Sequence, residues 1–181
     1  AELRPYHSPE ATTRETLRRY LALEKKLDAV KNKKLKLGYE ESFKRNLESG
    51  MLVKLGDFQD HKERFLTSEL IEGRECDFMA LAPTHLVIQN KSSHPVRHTV
   101  DYTSLNGLFS KGSNALSSIE EKVCQIRAHK YVFGMDIAKQ FNEIFTQHPH
   151  CQGILHRSDP NGPLEVYFHH AILMGHVSSS S

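Results

Sequence analysis

Cysteine is scarce in this chain. Its three copies, Cys76, Cys124 and Cys151, are far apart and odd in number. That pattern argues against a disulfide framework and a paired zinc knuckle, and makes a reducing compartment the default. No stretch approaches the ~20 consecutive apolar residues of a membrane span, and the N-terminus lacks the charged-then-apolar pattern of a secretory signal. No G-x-S-x-G, GxxxxGK-Ser/Thr or GxGxxG pattern occurs. No internal repeat stands out, and the low-complexity content is confined to the terminal SSSS.

What is present suits an ordinary soluble protein. The 181 residues are 38% hydrophobic and 25% charged, enough for one domain or one large piece of a bigger domain. The net charge of +2 conceals an asymmetry: residues 1–55 hold 13 Lys and Arg against 8 Asp and Glu, and residues 56–181 hold 11 against 14. The basic excess is densest at KKLDAVKNKKLK, where Lys31, Lys33, Lys34 and Lys36 cluster. Such a run can track phosphates, because each neutralised phosphate releases counterions. From charge alone, a solvated helix face is the favoured reading. Twelve histidines raise the question of a metal, with His148, His150, Cys151 and His156 close together in HPHCQGILH. Their spacing matches neither a helical HxxxH nor a CxxC pattern, so a structural metal is not expected there.

Periodicity gives the coarse architecture. Thr12 and Glu15 form a capping box ahead of Leu17, Tyr20, Leu21, Leu27 and Val30 at helical spacing. Tyr39, Phe43 and Leu47 predict a second helix, with Gly50 as its stop. Residues 51–84 read as mixed loops. THLVIQNKSSHPVRHTVDY reads as a β-hairpin, with Val96, His98, Val100 and Tyr102 on one strand face and Arg97, Thr99 and Asp101 on the other. Residues 115–129 predict a helix with an apolar stripe of Leu116, Ile119, Val123 and Ile126. A strand over 131–135, a helix over 138–145 and a second hairpin over QGILHR and LEVYFHH complete the order. The class expected is α+β with a largely antiparallel sheet.

Asp136, at the junction of the predicted strand and helix, is open to two readings. It caps the helix, where its charge suits the helix dipole. Alternatively it is a rigidly mounted ligand for a divalent cation.

The stretch HKYVFGMDIAKQFNEI resembles motif A of reverse transcriptases, in the form found in Bel/Pao-type LTR retrotransposons. Residues 16–55 resemble the helical lead-in to that polymerase domain, HLVIQNKSSHPVRHTVDYTSLNGLF its fingers hairpin, and GILHRSDPNGPLEVYFHHAILMG its palm hairpin and the start of motif B. The resemblance implies a partial fingers and palm, divided as a basic helical lead-in (1–55), a fingers-like β region (56–114) and an incomplete palm (115–181). It implies an RNA-directed DNA polymerase, a nucleotidyltransferase using Mg2+ or Mn2+. Asp136 would bind the metal ions through its side chain, and Ile137 through its backbone carbonyl. Phe141 would lie beneath the sugar of the incoming nucleotide, and Lys91 and Arg97 would hold its triphosphate. The alternatives are that Phe141 is core and that Arg97 pairs with Asp101. The implied partners are an RNA or DNA template-primer, dNTP and the remainder of a polyprotein, with no membrane. The implied location is intracellular and cytoplasmic, within virus-like particles.

The departures from the family bear on activity. The Tyr-x-Asp-Asp turn of motif C is not in these 181 residues, and serines replace the usual continuation of motif B. His98 stands where the family favours a bulkier aliphatic. Two-metal phosphoryl transfer needs several carboxylates, and Asp101 and Asp159 are on other elements, so this chain alone is expected to be inactive. The competing readings are a nucleic-acid- or protein-binding module without catalysis, carried by the basic helices, and an unrelated α+β protein. A partial palm is also expected to expose an edge strand and apolar surface, and so to self-associate.

Overall fold

A computed structural model describes residues 8–67, 79–89, 95–109, 118–134, 144–146, 148–157, 159, 161–172 and 175. Its class is α+β, as expected. Four α-helices, α1 (Pro9–Asp28), α2 (Lys33–Glu48), α3 (Phe58–Thr67) and α4 (Ile119–Arg127), accompany five strands. The strands are β1 (Leu52–Asp57), β2 (Thr84–Ile88), β3 (Val96–Val100), β4 (Gly153–His156) and β5 (Glu165–His169). They form an antiparallel sheet in the order β1-β5-β4 and a separate β2–β3 hairpin.

Helix α1 begins four residues before the expected capping box. Ser8 is the N-cap, its hydroxyl accepting from the Ala11 N–H at 3.1 Å, and Pro9 occupies the first turn. Thr12 is instead a buried first-turn residue whose hydroxyl donates to the Pro9 carbonyl. Threonines make much of this helix's buried face. Thr13 donates to the Phe65 carbonyl of α3, and Thr16 donates to the Leu81 carbonyl at 3.0 Å. Farther along, Tyr20 and Leu27 are buried, whereas Leu21 and Val30 are exposed. The second helix follows its predicted stripe for Tyr39 and Phe43, both buried, while Leu47 is exposed. Gly50 stops it with a φ of 73°, in the left-handed region that glycine reaches without Cβ strain.

Residues 51–84 differ most from the expectation of loops. Strand β1 pairs along β5, with a bulge between Lys54 and Gly56, and α3 follows at once. Strand β1 has no clear alternation and is defined by its pairing with β5, while α3 is amphipathic and buries Phe58 and Phe65. Strand β1 also straddles the boundary drawn at residue 55 and joins the N-terminal third to the C-terminal hairpin.

Both predicted hairpins form. In the sheet, Ile154 pairs with Tyr167 and Leu155 with Val166. Opposed residues share a face, so the sheet has two apolar sides. Leu155 and Val166 pack with Tyr20 of α1 and with Phe58 and Phe65 of α3. Ile154, Tyr167 and Leu52 pack with Phe43 of α2. Helix α2 also meets the β2–β3 hairpin, where a Cβ on Gly38 would lie 2.9 Å from Val96 Cβ. Beyond β4, the segment 80–82 continues the sheet: the Ala82 N–H donates to the Gly153 carbonyl at 2.7 Å, and the Gly153 N–H donates to the Ala80 carbonyl at 2.9 Å. A Cβ on Gly153 would sit 2.9 Å from the Ala80 carbonyl oxygen and 2.7 Å from Leu81 Cδ2.

Because backbone cannot yield as a side-chain tip can, Gly153→Ala is expected to destabilise by about 1–3 kcal/mol. Gly134→Ala, where an added Cβ meets nothing within 4 Å, should shift stability by less than ~0.5 kcal/mol. Urea midpoints of the two variants against the parent check the difference.

Candidate functional site

Strand β3 presents its residues as alternation predicts. Val96 and His98 are buried and Arg97 is exposed. Asp101, two residues past His85's partner Thr99, does not pair with Arg97. Arg19 of α1 takes it, with Arg19 Nη1 2.7 Å from Asp101 Oδ2, and the Thr103 N–H donates to Oδ1 at 3.0 Å. Burial raises the Asp101 carboxyl, but the hydrogen bonds from Thr103 and Arg19 outweigh it and hold the group down at about 2. Arg97 makes no ion pair among the described residues and keeps its guanidinium in solvent.

Asp136, Ile137, Phe141 and Lys91 lie outside the described residues. The stretch leading to Asp136 departs from expectation. Residues 131–134 are not a strand, and Tyr131, Val132 and Phe133 are exposed. Among the described residues nothing pairs with this stretch: β5 is flanked on both sides, segment 80–82 lies beyond β4, and the outer edge of β1 carries no described strand. An apolar run that joins no sheet edge has no ladder to make it a strand. The preceding helix does form, as α4, capped by the Ser118 hydroxyl, which accepts from the Glu121 N–H. Its stripe of Ile119, Val123 and Ile126 is exposed rather than packed.

The lysines fall into two groups. Lys31, Lys33 and Lys34 are exposed at the elbow between α1 and α2, next to exposed Lys25 and Lys26 at the end of α1. None of these five forms an ion pair among the described residues. Asn32, the N-cap of α2, makes no side-chain capping bond to the helix and donates instead to the Lys26 carbonyl at 2.7 Å, and the first turn has no acidic residue. Positive side chains therefore stand at the positive end of a helix dipole, which concentrates positive potential there. Lys36 differs: it is half-buried and bonded to Asp28 at 2.6 Å, a contact that raises its pKa.

Lys36 lines a cavity of about 290 Å³ between α1, α2 and the end of β4. Glu24, Asp28, Glu40, Arg157, Tyr20 and Tyr39 share it. Its charges are largely matched. Arg157 Nε lies 3.0 Å from Glu24 Oε1, near enough to attract but misaligned for a hydrogen bond, and His156 Nε2 lies 3.2 Å from Glu40 Oε2. Nothing in the sequence pointed to this cavity, because its residues come from elements more than a hundred positions apart.

Four histidines, one from each of β2 to β5, lie near one another. His98, His156 and His169 are buried, and His85 is half-buried. The inward face predicted for His98 was the one sequence signal of this cluster. Among the described residues, no three His, Cys, Asp or Glu side chains converge to hold a metal ion. His148 and His150 meet edge-on, with ring centroids 5.7 Å apart. No helix among the described residues is long and apolar enough to cross a membrane.

No protein-family model and no curated protein matches the chain.

The Asp101–Arg19 pair carries a pH prediction. Its folded-state pKa lies below the ordinary 3.8, so its stabilisation is present above about pH 4 and lost as pH falls toward 2. Asp101→Asn should cost about 2 kcal/mol near neutrality. The gap between parent and variant in urea titrations should close between pH 4 and pH 2.

Proposed function

We propose that this chain is the fingers and N-terminal palm portion of a Bel/Pao-type reverse transcriptase, an RNA-directed DNA polymerase working by two-metal nucleotidyl transfer when complete. One observation carries the reading: four stretches resembling polymerase motifs occur in the family's order along the chain, ending on HKYVFGMDIAKQFNEI and GILHRSDPNGPLEVYFHHAILMG. Two features support it. The stretches likened to the fingers and palm hairpins are both antiparallel hairpins. Arg97, the residue likened to a triphosphate ligand, points its charge into solvent. In this reading Asp136 and the Ile137 carbonyl contact Mg2+ or Mn2+, Lys91 and Arg97 hold the triphosphate, and Phe141 supports the sugar. The protein works on a template-primer inside a cytoplasmic particle, joined to the rest of a polyprotein.

The donor set here does not fit a two-metal centre. One aspartate cannot neutralise or hold two cations ~3.5–4 Å apart, and the described residues bring no further carboxylates together for the purpose. The purified 181-residue chain is therefore expected to show no magnesium-dependent dNTP incorporation. Incorporation abolished by Asp136→Ala would refute that expectation. The polymerase reading itself requires a Tyr-x-Asp-Asp reading frame within several dozen codons downstream in the gene. A protein extended through it should incorporate dNTP and lose this activity on Asp136→Ala. An uninterrupted downstream frame without such a motif would overturn the reading.

The exposed elbow lysines favour a second reading, a nucleic-acid-binding module without catalysis. Binding should weaken steeply with salt and survive Asp136→Ala. Combining Lys31→Ala, Lys33→Ala and Lys34→Ala should flatten the slope of log K against log salt by about 2–3. Fluorescence anisotropy with single-stranded RNA over a salt series measures this, and salt-independent binding would remove the reading.

A further inference from the structure

The β2–β3 hairpin meets the rest of the protein through histidine. His98 of β3 lies edge-on to Tyr39 and Phe43 of α2, with ring centroids at 5.2 and 5.5 Å. His156 of β4 stacks on the other side of this aromatic group, 3.6 Å from Phe43 and 6.3 Å from Tyr39. His169 of β5 and His85 of β2 are near enough for a charge on them to be felt at His98. Among the described residues, both ring nitrogens of His98 and both of His169 are buried without a hydrogen-bond partner, as are Nδ1 of His85 and Nδ1 of His156.

The charged groups packed around this cluster do little to welcome a proton. On α2, Glu40 faces His156 Nε2 at 3.2 Å but is not bonded to His98 or His169. On β5, Glu165 is engaged by Lys54 of β1 and by the Tyr167 hydroxyl. The hairpin contributes His85 and no carboxylate within the strands. Tyr39 is buried, and its hydroxyl lies 3.3 Å from Thr84 Oγ1. His98 gaining charge here would lose its hydration, find no bonded anion among the described residues, and repel its neighbours.

We propose that the cluster is an acid-sensitive latch: protonation of His98 releases the β2–β3 hairpin from α2 while the β1-β5-β4 sheet stays folded. The geometry favours local release over collapse. The His98 side of the hairpin is fixed to α2 by the Val96–Gly38 approach and by the His98 N–H donating to Ser42 Oγ. Its base has separate anchors that do not involve histidine, namely Asp101 to Arg19 and the Tyr102 hydroxyl to Gln152. The sheet retains its other apolar side against α1 and α3. Burial is the first cause holding His98 well below its ordinary value of 6.5, and burial holds His169 at about 3. The open form therefore binds more protons than the closed one below pH 6.5. Closure is fully stable above that value and weakens as pH falls. From pH 7.4 to 5.0, opening should become more frequent by about 30-fold for each histidine hydrated on release.

Hydrogen–deuterium exchange of the full chain at pH 7.4 and 5.0, corrected for intrinsic exchange rates, tests this. Protection in residues 84–88 and 96–100 should fall by at least about 30-fold, with β4 and β5 retaining theirs. Unchanged hairpin protection would overturn the proposal, and so would loss of protection throughout the chain in one step. His98→Phe keeps an aromatic ring against Tyr39 and Phe43 and should remove roughly 30-fold of the effect; a variant with the full wild-type response would overturn it. Should that variant not fold, ring NMR of His98 in the wild-type chain decides. Titration of His98 near 6.5 with the hairpin still protected would sink the latch, and titration coincident with hairpin opening supports it.

Discussion

The Phe43 ring is the contact on which the arrangement turns. It stacks on His156 of β4, meets Tyr167 of β5 edge-on at 4.9 Å, and meets His98 of β3 edge-on at 5.5 Å. One side chain on α2 thus joins the three-stranded sheet to a hairpin that shares no strand pairing with it. Edge-on and offset aromatic contacts contribute ~0.5–1.5 kcal/mol each beyond burial, but they also need rings whose charge state is fixed. Two of the three partners are imidazoles. At His98 the packing that assembles the fold also disfavours a proton, because burial penalises the charged ring.

A second constraint is the use of threonine where a helix would ordinarily bury aliphatics. Thr12, Thr13 and Thr16 are almost completely buried, and the hydroxyls of Thr13 and Thr16 reach carbonyls of α3 and of segment 80–82. Directional bonds fix the angle of α1 against its neighbours more tightly than a greasy stripe would. The other end of α1 is treated differently. There the lysine elbow precedes a helix with no acidic first turn, an arrangement unfavourable by ~0.3–1 kcal/mol per charge close to the helix start. An anionic partner would offset that cost, and solvent alone does so only by screening.

How much of this was legible in the residues follows from how local each signal is. Tyr39 and Phe43, four apart, and the alternation of Val96, Arg97 and His98 gave α2 and the face of β3 directly. The two hairpins were equally readable, since each joins neighbouring segments across a short, turn-rich connection. Strand β1 was not, because it is a strand by virtue of β5, and no window along residues 51–67 contains that information. Residues 131–134 show the converse error: an apolar run looked like a strand, but no described strand pairs with it. In the candidate site, the outward Arg97 was visible from strand period. The partner of Asp101 was not, since Arg19 is 82 positions away.

The pairing of β1 with β5 has a further consequence, in time rather than in space. Strand β5 is the centre of the sheet, yet it is made after both of the strands it joins, and β1 precedes it by more than a hundred residues. During synthesis, β1 and the half of α2 that faces the sheet must wait, with Leu52 and Phe43 uncovered, until residues 165–169 leave the ribosome. At ~5–20 residues per second that interval lasts several seconds. Closing so long a loop is also entropically slow. The nascent chain thus depends on its late strand, and an early segment made alone would remain a client for chaperones.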